Sequence, residues 1–66
     1  MTGQWTNPTL PELGRCRIRR TKNALWEAGW EIDSWAGTGV CRCRNLAGRE
    51  MIELSRMNVE VLNSED

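Results

Sequence analysis

The segment 38–54, TGVCRCRNLAGREMIEL, constrains most strongly what this chain can fold into. In its first part, residues 40–44, Cys41 and Cys43 alternate with two arginines, and in its last part, residues 50–54, Ile52 and Leu54 alternate with Met51 and Glu53. The polar link between the two parts is short and contains Gly48. Two runs with a period of two on either side of a glycine-containing link predict a β-hairpin. We therefore expect a β protein in which further strands are added to this hairpin.

Three other segments have the character of short strands. Residues 15–19 alternate strictly, so Cys16 and Ile18 are expected on one face and three arginines on the other. In residues 30–34 the same pattern predicts that Trp30 and Ile32 face the core. Residues 59–62 form a last strand after a link at 55–58, which is predicted to be one 3₁₀ turn. The segment 23–29 is too short for an independent helix and is expected to be a long loop or a single turn.

The two ends of the chain are expected to lie outside the main fold. Residues 1–13 contain both prolines among small polar residues, which predicts a flexible or extended arm. Residues 63–66 are polar and acidic and are expected to fray. A chain of 66 residues can bury only one core, so a single domain is expected over residues 14–62.

The order of these strands resembles the SH3-like barrel. The match consists of a first strand at 14–19, a long loop to Trp30, three consecutive strands ending at Leu54, a one-turn link and a final strand at 59–62. The resemblance implies an all-β, five-stranded SH3-like small barrel with an extended N-terminal arm.

The chain also looks like the plasmid-borne type II dihydrofolate reductases, which are tiny SH3-like barrels that work as tetramers around a shared pore. Their basic first strand, their tryptophan–glycine region and their final turn have counterparts here. Their pore strand carries a Val-Gln-Ile-Tyr motif, whereas residues 50–54 read EMIEL. Because the Gln and the Tyr are absent, the resemblance does not carry the reductase activity over.

The cysteines favour a core role over a metal site. There are three of them, Cys16, Cys41 and Cys43, and the chain has no histidine. An odd number cannot all pair within one chain, and the Cys41-x-Cys43 spacing differs from the C-x₂-C of zinc sites. Buried free thiols, no metal, no cofactor and a cytoplasmic location are therefore expected. No apolar stretch approaches the roughly 20 residues of a membrane span, so a soluble protein without a membrane partner is expected.

A basic run is the sharpest charge feature of the sequence. Its members are Arg15, Arg17, Arg19, Arg20 and Lys22. Such a stripe could track the phosphates of a nucleic acid. Alternatively, the arginines of the first strand form cross-strand pairs with Glu60 on the last strand. In the same way, Arg42 and Arg44 of the central hairpin would lie near Glu53. Nine basic and nine acidic residues cancel, which favours the paired interpretation and makes nucleic acid the second choice.

Four tryptophans, with no phenylalanine or tyrosine, suggest a protein-binding surface. Tryptophan is enriched at the hot spots of protein interfaces. The predicted partner-binding residues are Trp5 in the arm, and Trp26, Glu27 and Trp35 beside the loops of the barrel. No set of residues resembles a catalytic motif. The sequence thus predicts a non-catalytic module that binds a protein partner or a second copy, and its size would suit an accessory protein of a bacteriophage or mobile element.

Overall fold

The computed structural model describes residues 2–65, and the side chains of residues 3–63, as one sheet of six antiparallel strands. The strands are β1 (Thr2–Thr6), β2 (Gly14–Ile18), β3 (Glu27–Trp35), β4 (Val40–Asn45), β5 (Met51–Ser55) and β6 (Val59–Glu65), and a 3₁₀ turn (Arg56–Asn58) joins the last two. Their order across the sheet is β1-β6-β2-β3-β4-β5. The expected all-β class is confirmed, and so are the central hairpin of β4 and β5 and the turn that follows it.

The predicted number of five strands was wrong, because part of the arm joins the sheet. Strand β1 pairs with β6, and Trp5 lies opposite Leu62. No proline interrupts residues 2–6, so their backbone can hydrogen-bond to a neighbouring strand. With β1 as its partner, β6 continues to Glu65 rather than ending at Leu62. Asp66, the last residue of the predicted tail, lies outside the described residues, as does Met1.

Strand β3 is longer than predicted at its N-terminal end. It begins at Glu27, within the segment expected to be a loop, and pairs with β2 through Glu27 opposite Ile18 and Trp30 opposite Cys16. A register shift between Cys16 and Ile18 accommodates the additional pairing. Strands β4 and β5 pair without a register shift.

The core is formed by inward-facing residues of β2, β3, β4 and β6. Its members are Cys16, Ile18, Trp30, Ile32, Cys41, Cys43, Val59 and Val61. Trp30 is the largest of them and is 1% exposed, as its phase predicted. The three cysteines are free and buried. Burial raises the pKa of the Cys41 thiol from 9.0 to about 11, so this thiol stays neutral near pH 7.

The chain between β1 and β2 is fastened to the 3₁₀ turn. The Asn7 side-chain amide donates to the carbonyls of Arg56, at 3.1 Å, and Val59, at 2.9 Å. Arg56 Nε donates in return to the Pro8 carbonyl at 2.8 Å. These bonds place β1 beside β6. The helical structure among the described residues is this 3₁₀ turn of three residues. No helix of the described part of the chain is long and apolar enough to cross a membrane.

Candidate binding cleft

An apolar cleft of about 260 Å³ lies where β1, β2, β3, β6 and the β4–β5 link meet. Its buried lining is the ring of Trp30 and the thiol-bearing Cys16. Its exposed lining consists of Trp5, Arg15, Ala28, Gly29, Leu46 and Leu62. The cleft therefore joins the hydrophobic core to the surface at one end of β3.

Backbone pairing brings the lining residues together. Trp5 and Leu62 face each other across β1 and β6, and Cys16 faces Trp30 across β2 and β3. Leu46 is drawn to the same end because its N–H donates to the Gly29 carbonyl at 2.9 Å. Gly29 has a φ of +86°, and a Cβ built on it would meet nothing within 4 Å. A glycine thus suits the backbone here because of this positive φ.

Large apolar side chains at the rim of the cleft are exposed to solvent. Trp5 is 39% exposed, Leu46 45% and Leu62 52%. A single exposed leucine on a soluble domain needs no explanation, but several gathered around one depression are typical of an interaction site. This clustering makes the cleft the candidate functional site.

Arg17 lies between the rings of two tryptophans beside the cleft. Its Cζ is 4.2 Å from the ring centroid of Trp5 and 4.8 Å from that of Trp26. Its Nε and Nη2 both donate to Glu60 Oε1, at 2.9 Å and 2.5 Å. Arg19 Cζ lies 4.8 Å from the Trp26 centroid as well. Stacking of cations on aromatic faces and the ion pair together fix the Trp5 ring at the rim.

The predicted cross-strand pairing of the basic run is found in part. Arg17 pairs with Glu60, as expected. Arg20 pairs with Glu50, at 2.9 Å, and with Glu27, at 2.8 Å. The hydrogen bond to Glu50 has the largest effect on the pKa of Arg20, followed by the hydrogen bond to Glu27, and both raise it above its ordinary value. These two arginines are therefore neutralised by carboxylates of this chain.

The hairpin arginines are also paired, one of them with an unexpected partner. Arg42 binds Glu53 at 2.8 Å, as predicted. Arg44 was expected near Glu53 but instead binds Glu31, because β3 lies on the other side of β4 and places Glu31 directly opposite.

The other three members of the basic run have no carboxylate partner among the side chains of residues 3–63. Arg15 is exposed at the cleft. Arg19 donates to Asn58 Oδ1, at 3.1 Å, and to two backbone carbonyls. Lys22 is exposed in the loop between β2 and β3.

The four predicted partner-binding residues are divided between two ends of β3. Trp5 lines the cleft, Trp26 stacks beside it and Glu27 is held by Arg20. Trp35 ends β3 and is half-buried against the core, and its Nε1 donates to the Glu12 carbonyl at 2.7 Å. Trp35 thus lies at the opposite end of β3 from the cleft and is not among the residues that line it.

The sequence interpretation missed three apolar residues of the cleft. Leu62 interrupts the alternation of β6, because it directly follows the buried Val61. Leu46 is an apolar residue in an otherwise polar link, and Ala28 lies in the segment that was expected to be a loop. Each of these three residues is apolar at a position where the local sequence pattern predicts a polar residue, which is weak evidence for a binding surface.

The described surface thus offers a cleft that is apolar inside, is rimmed by exposed apolar side chains and is flanked by an arginine with no ion pair among the side chains of residues 3–63. This combination suits the recognition of a large apolar group that carries negative charge nearby. Comparison with protein families, with curated proteins and with solved structures found no match for the chain.

Proposed function

We propose that this protein is a small non-catalytic module that binds another protein chain through the cleft lined by Trp5, Trp30 and Leu62. The main support for the proposal is that exposed apolar side chains surround the cleft, which reaches the hydrophobic core. Trp5 and Trp26, two of the three tryptophans predicted to contact a partner, both lie at this end of the molecule. Binding would bury this apolar surface, which is the main driving force of protein association.

We further propose that the scaffold is an SH3-like small barrel to which β1 has been added. In that barrel the first and last strands pair, and a single turn precedes the last strand. The pairing of β2 with β6 and the 3₁₀ turn before β6 support this assignment. The free, buried thiols support a reducing location such as the cytoplasm.

Nucleic acid remains the alternative ligand for the basic run. Lys22, Arg15 and Arg19 lack carboxylate partners among the described side chains, which leaves some positive charge on β2 and the loop after it. The pairing of Arg17 and Arg20 with glutamates, and a net charge of zero, reduce the phosphate-binding capacity of the stripe. A protein ligand is therefore the stronger proposal.

Site-specific photo-crosslinking tests the proposed function. A photoreactive phenylalanine analogue in place of Leu46, at the rim, should form a covalent adduct with a specific protein in a bacterial lysate. Mass spectrometry would identify that protein, and a titration with the purified partner would give the affinity. Sedimentation equilibrium of the chain alone would show whether the partner is a second copy.

Two leucine variants separate cleft binding from general stickiness. Leu62→Asp places a charge on the cleft wall and should weaken partner binding by about tenfold or more. Leu25→Asp makes the same change at a leucine that is 89% exposed and does not line the cleft, and it should leave the affinity unchanged. Equal affinities for the two variants would refute the cleft as the binding site.

A further inference from the structure

We propose that the cleft selects an acidic segment of its partner, with one large apolar side chain in the cleft and a neighbouring carboxylate on Arg15. This inference rests on the proposed function and names the chemistry of its ligand. Two observations support the inference: the charges around the cleft and the volume of the cleft.

Within the described part of the chain, Arg15 is left without an ion pair because the nearby carboxylates bind other arginines. Across β2 and β3 it lies opposite Glu31, the carboxylate best placed to neutralise it. That carboxylate is bound by Arg44 from the other side, on β4. Among the side chains of residues 3–63, Arg15 therefore has no ion pair, although it is exposed at the cleft.

The surroundings of Arg15 reinforce its positive charge. None of the cleft-lining residues is acidic. The nearest carboxylate along β6, Glu60, is already bound by Arg17. Farther along the same strand and loop, Arg19 meets only neutral oxygens among the described groups. Positive charge is therefore in excess beside the apolar cleft, although the chain as a whole has no net charge. This local charge favours a partner that carries negative charge where it meets the cleft.

The volume of the cleft favours a peptide anchor over a free small molecule. Sites for drug-sized ligands usually enclose about 300–1,000 Å³. At about 260 Å³ this cleft is smaller, and its exposed rim of Trp5, Leu46 and Leu62 extends the apolar contact outward. Such a shape accommodates one leucine-sized or aromatic side chain while the flanking residues of the peptide cross the rim.

Three matched pools of fluorescent twelve-residue peptides test this inference on the full chain. The first pool has a central leucine within a random mixture of Asp, Glu, Gly and Ser. The second replaces the acids by Asn and Gln, and the third replaces the leucine by Ser. We expect the first pool to be retained on the immobilised protein about tenfold better than either of the others, as a single charged or apolar contact would give.

Charge-reversal variants then assign the selectivity to Arg15. Arg15→Glu should weaken binding of the best acidic peptide by about tenfold or more in fluorescence anisotropy. Lys22→Glu changes the net charge by the same amount at an exposed residue away from the cleft, and it should have little effect. Circular dichroism of both variants would verify that they are folded.

Several results would overturn the inference. Equal retention of the acidic and amide pools would remove the charge selection, and equal losses for the two charge-reversal variants would remove the role of Arg15. Salt-sensitive binding of single-stranded DNA that Arg15→Glu abolishes, or dimerisation that Leu62→Asp abolishes, would identify another occupant. A crosslinked partner with a neutral or basic segment in the cleft would leave the proposed function intact and refute this inference alone.

Discussion

The guanidinium of Arg17 lies 4.2 Å from the ring centroid of Trp5, and this contact joins the central strand β2 to the edge strand β1. The same guanidinium faces Trp26 on the loop that precedes β3 and is bound by Glu60 on β6. One side chain thus connects four parts of the fold. Because Trp5 is also part of the cleft rim, the stability of β1 and the shape of the candidate site depend on the same contacts.

Replacement of Arg17 by Met should lower the free energy of unfolding by about 2 kcal/mol. The variant keeps an unbranched side chain but loses the stacking on two rings, worth about 0.5–1 kcal/mol each, and leaves Glu60 without its ion pair. Urea unfolding followed by tryptophan fluorescence measures this change. Arg42→Met removes an exposed pair with Glu53 and is the matched control, with an expected loss below about 1 kcal/mol. Equal losses in the two variants would contradict the importance of the stacking.

Asn7→Ala should destabilise the fold by about 1–2 kcal/mol, because the carbonyls of Arg56 and Val59 both lose their shared amide donor. Thermal unfolding by circular dichroism measures the effect. Asn23→Ala makes the same chemical change at an exposed loop residue, and it should shift the free energy by less than about 0.5 kcal/mol. If Asn7→Ala is as stable as the control, these hydrogen bonds do not hold the arm in place.

Trp35→Phe should cost about 1 kcal/mol of stability without weakening partner binding. The ring is largely retained, but the bond from Nε1 to the Glu12 carbonyl is lost. Trp35 also lies at the opposite end of β3 from the cleft, so the affinity for a cleft-bound partner should not change. Titration of the partner and urea unfolding provide the two measurements. A loss of affinity with unchanged stability would return Trp35 to the binding surface, where the sequence had placed it.

The free energy of unfolding should fall as the pH rises from about 9 to 11, because of Cys41. Burial raises the pKa of this thiol from 9.0 to about 11 in the folded state. Between these values the unfolded chain loses the proton and the folded chain keeps it, so ionisation favours unfolding. Urea unfolding at several pH values measures the slope. Cys41→Ala should make the slope shallower, and an unchanged slope in that variant would assign the effect to other groups.

Alternation in the sequence was sufficient to predict most of the sheet and its core. Trp30, Ile32, Cys41 and Cys43 are buried as their phase indicated, because inward and outward positions alternate along a strand whatever its neighbours are. The pairing of Arg17 with Glu60 followed from the expected contact between the first and last strands of the barrel. These features depend on local periodicity or on one assumed strand pair.

The position of β1 and the composition of the cleft were decided by tertiary structure. Residues 2–6 have no strong strand pattern, and they become a strand because β6 offers an unpaired edge. The cleft combines residues from five separate segments, so no local pattern could reveal that Trp5, Leu46 and Leu62 are neighbours. Likewise, Arg15 lacks an ion-pair partner among the side chains of residues 3–63, because Arg44 on β4 binds Glu31 from the other side. The sequence by itself determined which residues face the core, whereas the packing of distant strands decided which exposed residues share a surface.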